Sequence, residues 1–140
     1  FESDKWQVRI DGVEIDASYI ASLWPAVYDY IHIGDFNQID IPGAYDLVFM
    51  GDVLEHWPAG EWQNALEKAK NLSAVTLIVC PNHPGSMAQG AWMGHESERH
   101  LSLLSPETVG GRCLAANSKW FMCGFDNTDS GILDDKAICL

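Results

Sequence analysis

The sequence predicts an α/β fold, with a doubly wound, mostly parallel sheet and an antiparallel strand pair at its C-terminal end. Two short apolar runs, residues 45–50 and 75–80, are typical of strands buried on both faces of a parallel sheet. Between them, a segment that begins after Gly60 repeats apolar residues at helical spacing over about twelve residues. Strand and helix patterns also alternate before the first run, which favours parallel strands joined by helices.

The predicted elements before residue 45 are short. Residues 7–14 alternate loosely between apolar and polar side chains and predict a strand. Asp16 opens a helical pattern that ends at Pro25, because proline cannot continue a helix. Residues 30–33 predict the next strand, which a Gly-Asp pair ends.

The predicted elements after residue 80 are less regular. Residues 81–104 lack a period and are rich in Gly, His, Ser and Met, which is typical of a long functional loop. Residues 106–116 predict a helix that contains two adjacent glycines. Residues 119–125 and 136–140 predict the two closing strands of the antiparallel pair.

Composition places the chain among globular domains. It has 140 residues, 47% of them hydrophobic, and no internal repeat, so residues 1–140 predict a single domain. The net charge of −12 argues against a phosphate-tracking surface and against nucleic acid as a partner. No apolar run is long enough to span a membrane. The sequence has four cysteines, whose spacing indicates neither a metal site nor a disulfide framework, which favours a reducing, cytoplasmic compartment. They are Cys80, Cys113, Cys123 and Cys139.

The stretch YDLVFMGDVLEHW, which starts at Tyr45, places Asp52, Glu55 and His56 directly after a buried strand. In open α/β sheets, ligands bind beyond the carboxyl ends of the strands. The stretch resembles the fourth strand and following loop of class I S-adenosylmethionine-dependent methyltransferases, and the resemblance covers roughly residues 8–125. It implies a Rossmann-like domain that transfers a methyl group from S-adenosylmethionine to an O or N nucleophile of a small molecule.

The resemblance also implies where the cofactor binds. Glu14 ends the first strand in the motif GVEID, where a carboxylate accepts both hydroxyls of a ribose. Asp35 follows the next strand and would accept from the adenine amino group, while its neighbour packs on the ring. Without the resemblance, these acids are a solvated strand end and an ordinary turn. The implied cofactor-binding residues are Glu14, Ile15, Asp35, Phe36, Met50 and Gly51.

Three histidines are implied to face the methyl acceptor: His56, His83 and His100. His83 lies in the motif VCPNHP and His100 in ESERHLS, and both motifs resemble acceptor-pocket segments of the family. Histidine is the usual general base for a hydroxyl or amine nucleophile. The alternative is that these histidines are polar loop residues bonded to backbone.

A metal site is an alternative use of the same residues. The spacing Asp-x-x-Glu-His resembles that of metal-assisted methyltransferases of the ubiquinone pathway and of small-RNA termini. This resemblance implies a divalent cation held by Asp52, Glu55, His56 and His100. Carboxylate oxygens suit Mg²⁺, and imidazole adds affinity for Mn²⁺ or Zn²⁺. Metal-free relatives also carry Leu-Glu-His, so S-adenosylmethionine without a metal is the favoured prediction.

One feature of the family, the Gly-rich loop after the first strand, is missing from the sequence. By order it belongs before Phe1, so we expect a longer gene product that carries it. The alternative is a non-catalytic methyltransferase-like module that acts as a binding or partner subunit. Loss of the first strand would leave an unpaired sheet edge, which favours a homodimer.

Overall fold

A computed structural model describes residues 8–20, 24–92, 94–128, 131 and 133. The chain forms two compact units, Phe1–Pro42 and Gly43–Leu140, and each has its own sheet. The expectation of a single domain over residues 1–140 stays a prediction.

The first unit contains a two-stranded parallel sheet. Strand β1 (Asp11–Glu14) pairs in register with β2 (Tyr30–Ile33), so that Glu14 lies opposite Ile33. The helix predicted from Asp16 to Pro25 is not formed over the described residues. Two single 3₁₀ turns, Ala17–Tyr19 and Trp24–Ala26, stand in its place. Residues 21–23, which the predicted helix included, lie outside the described residues.

The second unit contains a four-stranded mixed sheet. Its strands are β3 (Tyr45–Gly51), β4 (Ser73–Pro81), β5 (Arg112–Ala116) and β6 (Trp120–Asp126), in the order β3-β4-β6-β5. Helix α1 (Glu61–Leu72) connects β3 to β4, which run parallel, whereas β6 is antiparallel to both β4 and β5.

The predicted doubly wound, Rossmann-like and mostly parallel sheet is therefore wrong. Only one pair of strands in the four-stranded sheet is parallel, and the described residues contain two α-helices, one of them a single turn. Both apolar runs form strands, β3 and β4, but the predicted burial on both faces is wrong for β3, of which only Met50 is buried. An apolar run does not determine the direction of the strand that pairs with it. The second half of the chain adds β5 and β6, which are antiparallel, so the sheet is mixed.

The helix predicted over residues 106–116 is also wrong. Helix α2 spans Pro106–Val109 and ends because Gly110 and Gly111 both have φ of 76°, a left-handed conformation that side chains disfavour. The chain then turns into β5, which pairs with β6. The antiparallel pair thus consists of these two strands, while residues 136–140 lie outside the described residues.

The core of the second unit lies between α1 and the sheet. Helix α1 buries four residues of its apolar period (Trp62, Ala65, Leu66 and Ala69), and it contacts both β3 and β4. Alternate residues of β4 (Thr76, Ile78 and Cys80) are completely buried. On β3, by contrast, Leu47 and Phe49 are 49% and 61% exposed. We call these two residues the β3 strip.

No helix in the described ranges is both long enough and apolar enough to cross a membrane.

Candidate functional site

The site begins where β3 ends. Asp52 follows the strand with φ of 50°, an uncommon conformation for a residue other than glycine, and its N–H donates to the carbonyl of Val79 on β4. The chain then folds into the 3₁₀ turn Leu54–His56. Glu55 and His56 are thereby held next to the end of the sheet.

A distant segment is fastened to this turn by backbone hydrogen bonds. The N–H groups of Leu101 and Ser102 both donate to the carbonyl of Glu55, at 2.7 and 3.0 Å. The Ser102 hydroxyl donates to the carbonyl of Trp57 at 2.7 Å. These three bonds fix the position of His100, the residue that precedes the fastened pair.

The result is a cluster of three side chains, Glu55, His56 and His100, which we call the Glu-His-His cluster. One ligand atom of each lies within 4.8 Å of the others. His100 Nε2 is 3.9 Å from Glu55 Oε1, and the two imidazole rings meet edge to face with centroids 4.9 Å apart. The side chains of Glu55 and His100 are only 1% and 8% exposed.

His56 is oriented by the same segment. Its Nδ1 lies 3.3 Å from the carbonyl oxygen of Arg99. A carbonyl can only accept, so the bond requires the proton on Nδ1 and leaves the lone pair on Nε2. Histidines that ligate metals commonly donate their other ring N–H to a backbone carbonyl in this way.

The polar atoms at the centre of the cluster lack hydrogen-bond partners among the described residues. Both carboxylate oxygens of Glu55 and the Nδ1 of His100 are buried, and no hydrogen-bond partner for them lies in the described part of the chain. An unsatisfied buried polar atom costs roughly 1–3 kcal/mol, and more if it is charged. Such atoms therefore point to a missing partner, for example an ion.

Burial also changes how these groups titrate. Desolvation raises the pKa of Glu55 to about 6, and the charge of Asp52 adds to this rise. Desolvation lowers the pKa of His100, and the neighbouring His56 lowers it further. Burial likewise raises the pKa of the Cys80 thiol, with a smaller contribution from Glu55. At neutral pH the cluster is thus a carboxylate beside a neutral imidazole, which is the protonation state that binds a cation.

The cluster opens into a cleft of about 480 Å³. His83, from the loop after β4, lines this cleft, so all three predicted catalytic histidines face one space. Asp52, the fourth predicted metal ligand, lines the cleft but is not part of the Glu-His-His cluster. Further lining residues are Ser86, Gln89 and Glu98.

The chemistry of the cluster fits a divalent cation. Ligand atoms bound to one ion at about 2.0–2.2 Å lie roughly 3–3.5 Å apart, so modest side-chain rotations would gather the three groups. One carboxylate and two imidazoles suit Zn²⁺ or Mn²⁺ better than Mg²⁺, which prefers oxygen ligands. The donor set is that of a site with positions left for a substrate.

The predicted cofactor residues of the first unit lie at strand ends but already have local partners. Glu14 accepts from the N–H of Asp16 at 3.0 Å. Asp35 accepts from the N–H of Asn37 and from the side-chain amide of Gln38. Ile15 is 48% exposed, and Phe36 is partly buried. These contacts match the ordinary turn interpretation and leave lone pairs available to a ligand.

The two remaining cofactor residues belong to the second unit. Met50 is 5% exposed and lies in the core, so its side chain is not available to pack on a ligand. Gly51 ends β3, and a Cβ there would meet the Phe49 ring at 2.8 Å. The six predicted cofactor residues are thus divided between the two units, and their joint role stays a prediction.

Comparisons of the chain with protein families, with curated proteins and with solved structures found no match.

Proposed function

We propose that the Gly43–Leu140 unit binds one divalent metal ion through Glu55, His56 and His100, and that the protein uses it in methyl transfer to a hydroxyl of a small molecule. The buried Glu55 carboxylate, which lies beside two histidines and has no hydrogen-bond partner among the described residues, is the observation that supports the metal. The methyl donor, S-adenosylmethionine, rests on the sequence resemblance alone.

Different residues of the cleft would bind the metal and accept the proton. The Glu-His-His cluster would hold the ion, while the carbonyl of Arg99 keeps His56 in the tautomer that offers Nε2. A bound divalent cation supplies Lewis-acid activation and orientation of a hydroxyl. His83 lies in the same cleft, outside the cluster, and is the candidate to accept the hydroxyl proton.

Metal titration tests the first half of the proposal. Calorimetry with Mn²⁺ and Zn²⁺ is expected to show one saturable site per chain. Glu55→Gln removes the buried carboxylate charge and is expected to weaken binding at least about tenfold. Glu98→Gln is the matched control, because Glu98 lines the same cleft outside the cluster. Absence of saturable binding, or equal loss in both variants, would refute the metal site.

Donor titration tests the second half. S-adenosylmethionine is expected to bind the metal-loaded protein, and Glu14→Ala is expected to abolish that binding because it removes the ribose acceptor. Metal binding without donor binding would retain the metal site and reject methyl transfer.

A non-catalytic binding module is the second candidate. Each carboxylate oxygen of Asp35 accepts one hydrogen bond within its own turn, which is consistent with a structural role. This candidate predicts that neither the metal-free nor the metal-loaded protein binds S-adenosylmethionine.

A further inference from the structure

Strands β5 and β6 place two cysteines directly opposite each other. Cys113 and Cys123 are register partners in this antiparallel pair, so their side chains share one face of the sheet. Directly opposed residues lie about 4.5 or 5.5 Å apart at Cα, depending on the hydrogen-bond pattern. Both values fall within the range of roughly 4.4–6.8 Å that a disulfide spans.

The two thiols differ in access. Cys113 is exposed, and its Sγ lies 3.7 Å from the carbonyl oxygen of Ala115. Cys123 is fully buried, and burial together with the adjacent Cys113 raises the pKa of its thiol to about 12. An oxidant therefore meets Cys113 first, with Cys123 beside it as the second thiol.

The strand that carries Cys113 has room to adjust. The register of β5 shifts between Cys113 and Ala115, so the ladder is already irregular at this point. Gly110 and Gly111 immediately precede the strand. A small change in β5 can thus bring the sulfurs to bonding distance without disturbing β4, which lies on the other side of β6.

We infer that Cys113 and Cys123 form a cross-strand disulfide when the protein meets a peroxide. The Cys113 thiol gives up its proton, and its sulfur attacks one oxygen of hydrogen peroxide. The O–O bond breaks, and the hydroxide that leaves takes up a proton, so that sulfenic acid and water result. The sulfur of Cys123 then attacks that of Cys113, gives up its proton and displaces a second water as the S–S bond forms. Two thiols lose two electrons, and the peroxide takes them up. In a reducing compartment, such bonds are transient and serve redox sensing.

Tryptic mapping tests this inference, because trypsin separates all four cysteines. Cleavage after Lys70, Arg99, Arg112, Lys119 and Lys136 places the four cysteines on four peptides. The full chain is treated with hydrogen peroxide, the monomer is isolated, and free thiols are blocked before digestion. We expect a linked pair of peptides 113–119 and 120–136, two hydrogen atoms lighter than their sum, and its loss on treatment with a thiol reductant.

Cys113→Ala is the variant to compare, since Cys113 is exposed and its loss leaves the core intact. In the parent, oxidation is expected to raise the unfolding temperature, because a disulfide restricts the unfolded chain. The variant is expected to show neither this rise nor the linked pair of peptides. Links through Cys139, or Cys113 oxidised to sulfinic acid with Cys123 still free, would overturn the inference. These outcomes do not depend on the metal site, so either proposal can fail alone.

Discussion

Glu55 is the residue whose surroundings make the sharpest prediction. Its folded pKa of about 6 lies above the ordinary value of 4.5, so the folded state binds this proton more tightly than the unfolded state does. The resulting stabilisation is complete below pH 4.5 and is lost as the pH rises through 6. At pH 7 the buried carboxylate therefore costs the metal-free protein about 2 kcal/mol.

Glu55→Gln should recover that cost. In the presence of a chelator at pH 7, the free energy of unfolding of the variant is expected to exceed that of the parent by about 2 kcal/mol. The difference should vanish near pH 4. Denaturant titration at the two pH values measures it. Equal stability of parent and variant at pH 7 would show that the carboxylate has a partner.

At the same scale, the sequence named every member of the Glu-His-His cluster, but it named His100 only through the family resemblance. Glu55 and His56 are adjacent in the chain, so their spacing revealed them. His100 joins them only because Leu101 and Ser102 donate to the carbonyl of Glu55, and no local pattern encodes that bond. From sequence, the metal site was therefore only the alternative to a metal-free methyltransferase. The burial of Glu55 now favours the metal site.

At the scale of the elements, the segment that carries His100 should be sensitive to one hydroxyl. Ser102→Ala removes the bond to the carbonyl of Trp57, which costs about 1 kcal/mol of stability and loosens His100. We expect metal affinity to fall several-fold in calorimetry. Ser105→Ala is the control, because it removes a hydroxyl that caps α2, with a similar cost in stability but no effect on the metal.

The turn from α2 into β5 depends on its second glycine. A Cβ on Gly111 would lie 2.9 Å from the Gly124 carbonyl oxygen and 2.7 Å from the Phe125 ring, at φ of 76°. Gly111→Ala should therefore cost more than the left-handed strain of about 1–2 kcal/mol. Gly43→Ala has similar strain at φ of 97° and open space around it, so it isolates the strain. Equal unfolding midpoints for the two variants would contradict this.

This glycine pair also explains why elements were predicted unequally. Strands β3 and β4 and helix α1 follow long apolar patterns, and all three elements form where those patterns predict them. The helix predicted over residues 106–116 followed the start signal at Pro106 correctly, but two left-handed residues outweigh the remaining helical pattern. A single backbone conformation can end a short helix or strand, and the composition of the segment does not predict that conformation.

For the whole molecule, the error in fold class has a similar cause. Apolar runs predict that a strand is buried, and β4 is. They do not reveal whether a neighbouring strand or helix covers each face, and β3 lies at the end of its sheet with the β3 strip half exposed or more. The homodimer predicted from an unpaired edge stays a prediction.

The exposed β3 strip predicts that self-association of the protein depends on salt. A net charge of −12 keeps the molecules apart at low ionic strength, whereas salt screens that repulsion and strengthens apolar contacts. Sedimentation is thus expected to show monomer in dilute buffer and association in high salt. Phe49→Lys should remain monomeric throughout, and association unchanged in that variant would exclude this surface. The β3 strip would then be the surface through which a strongly charged chain associates once salt screens its charge.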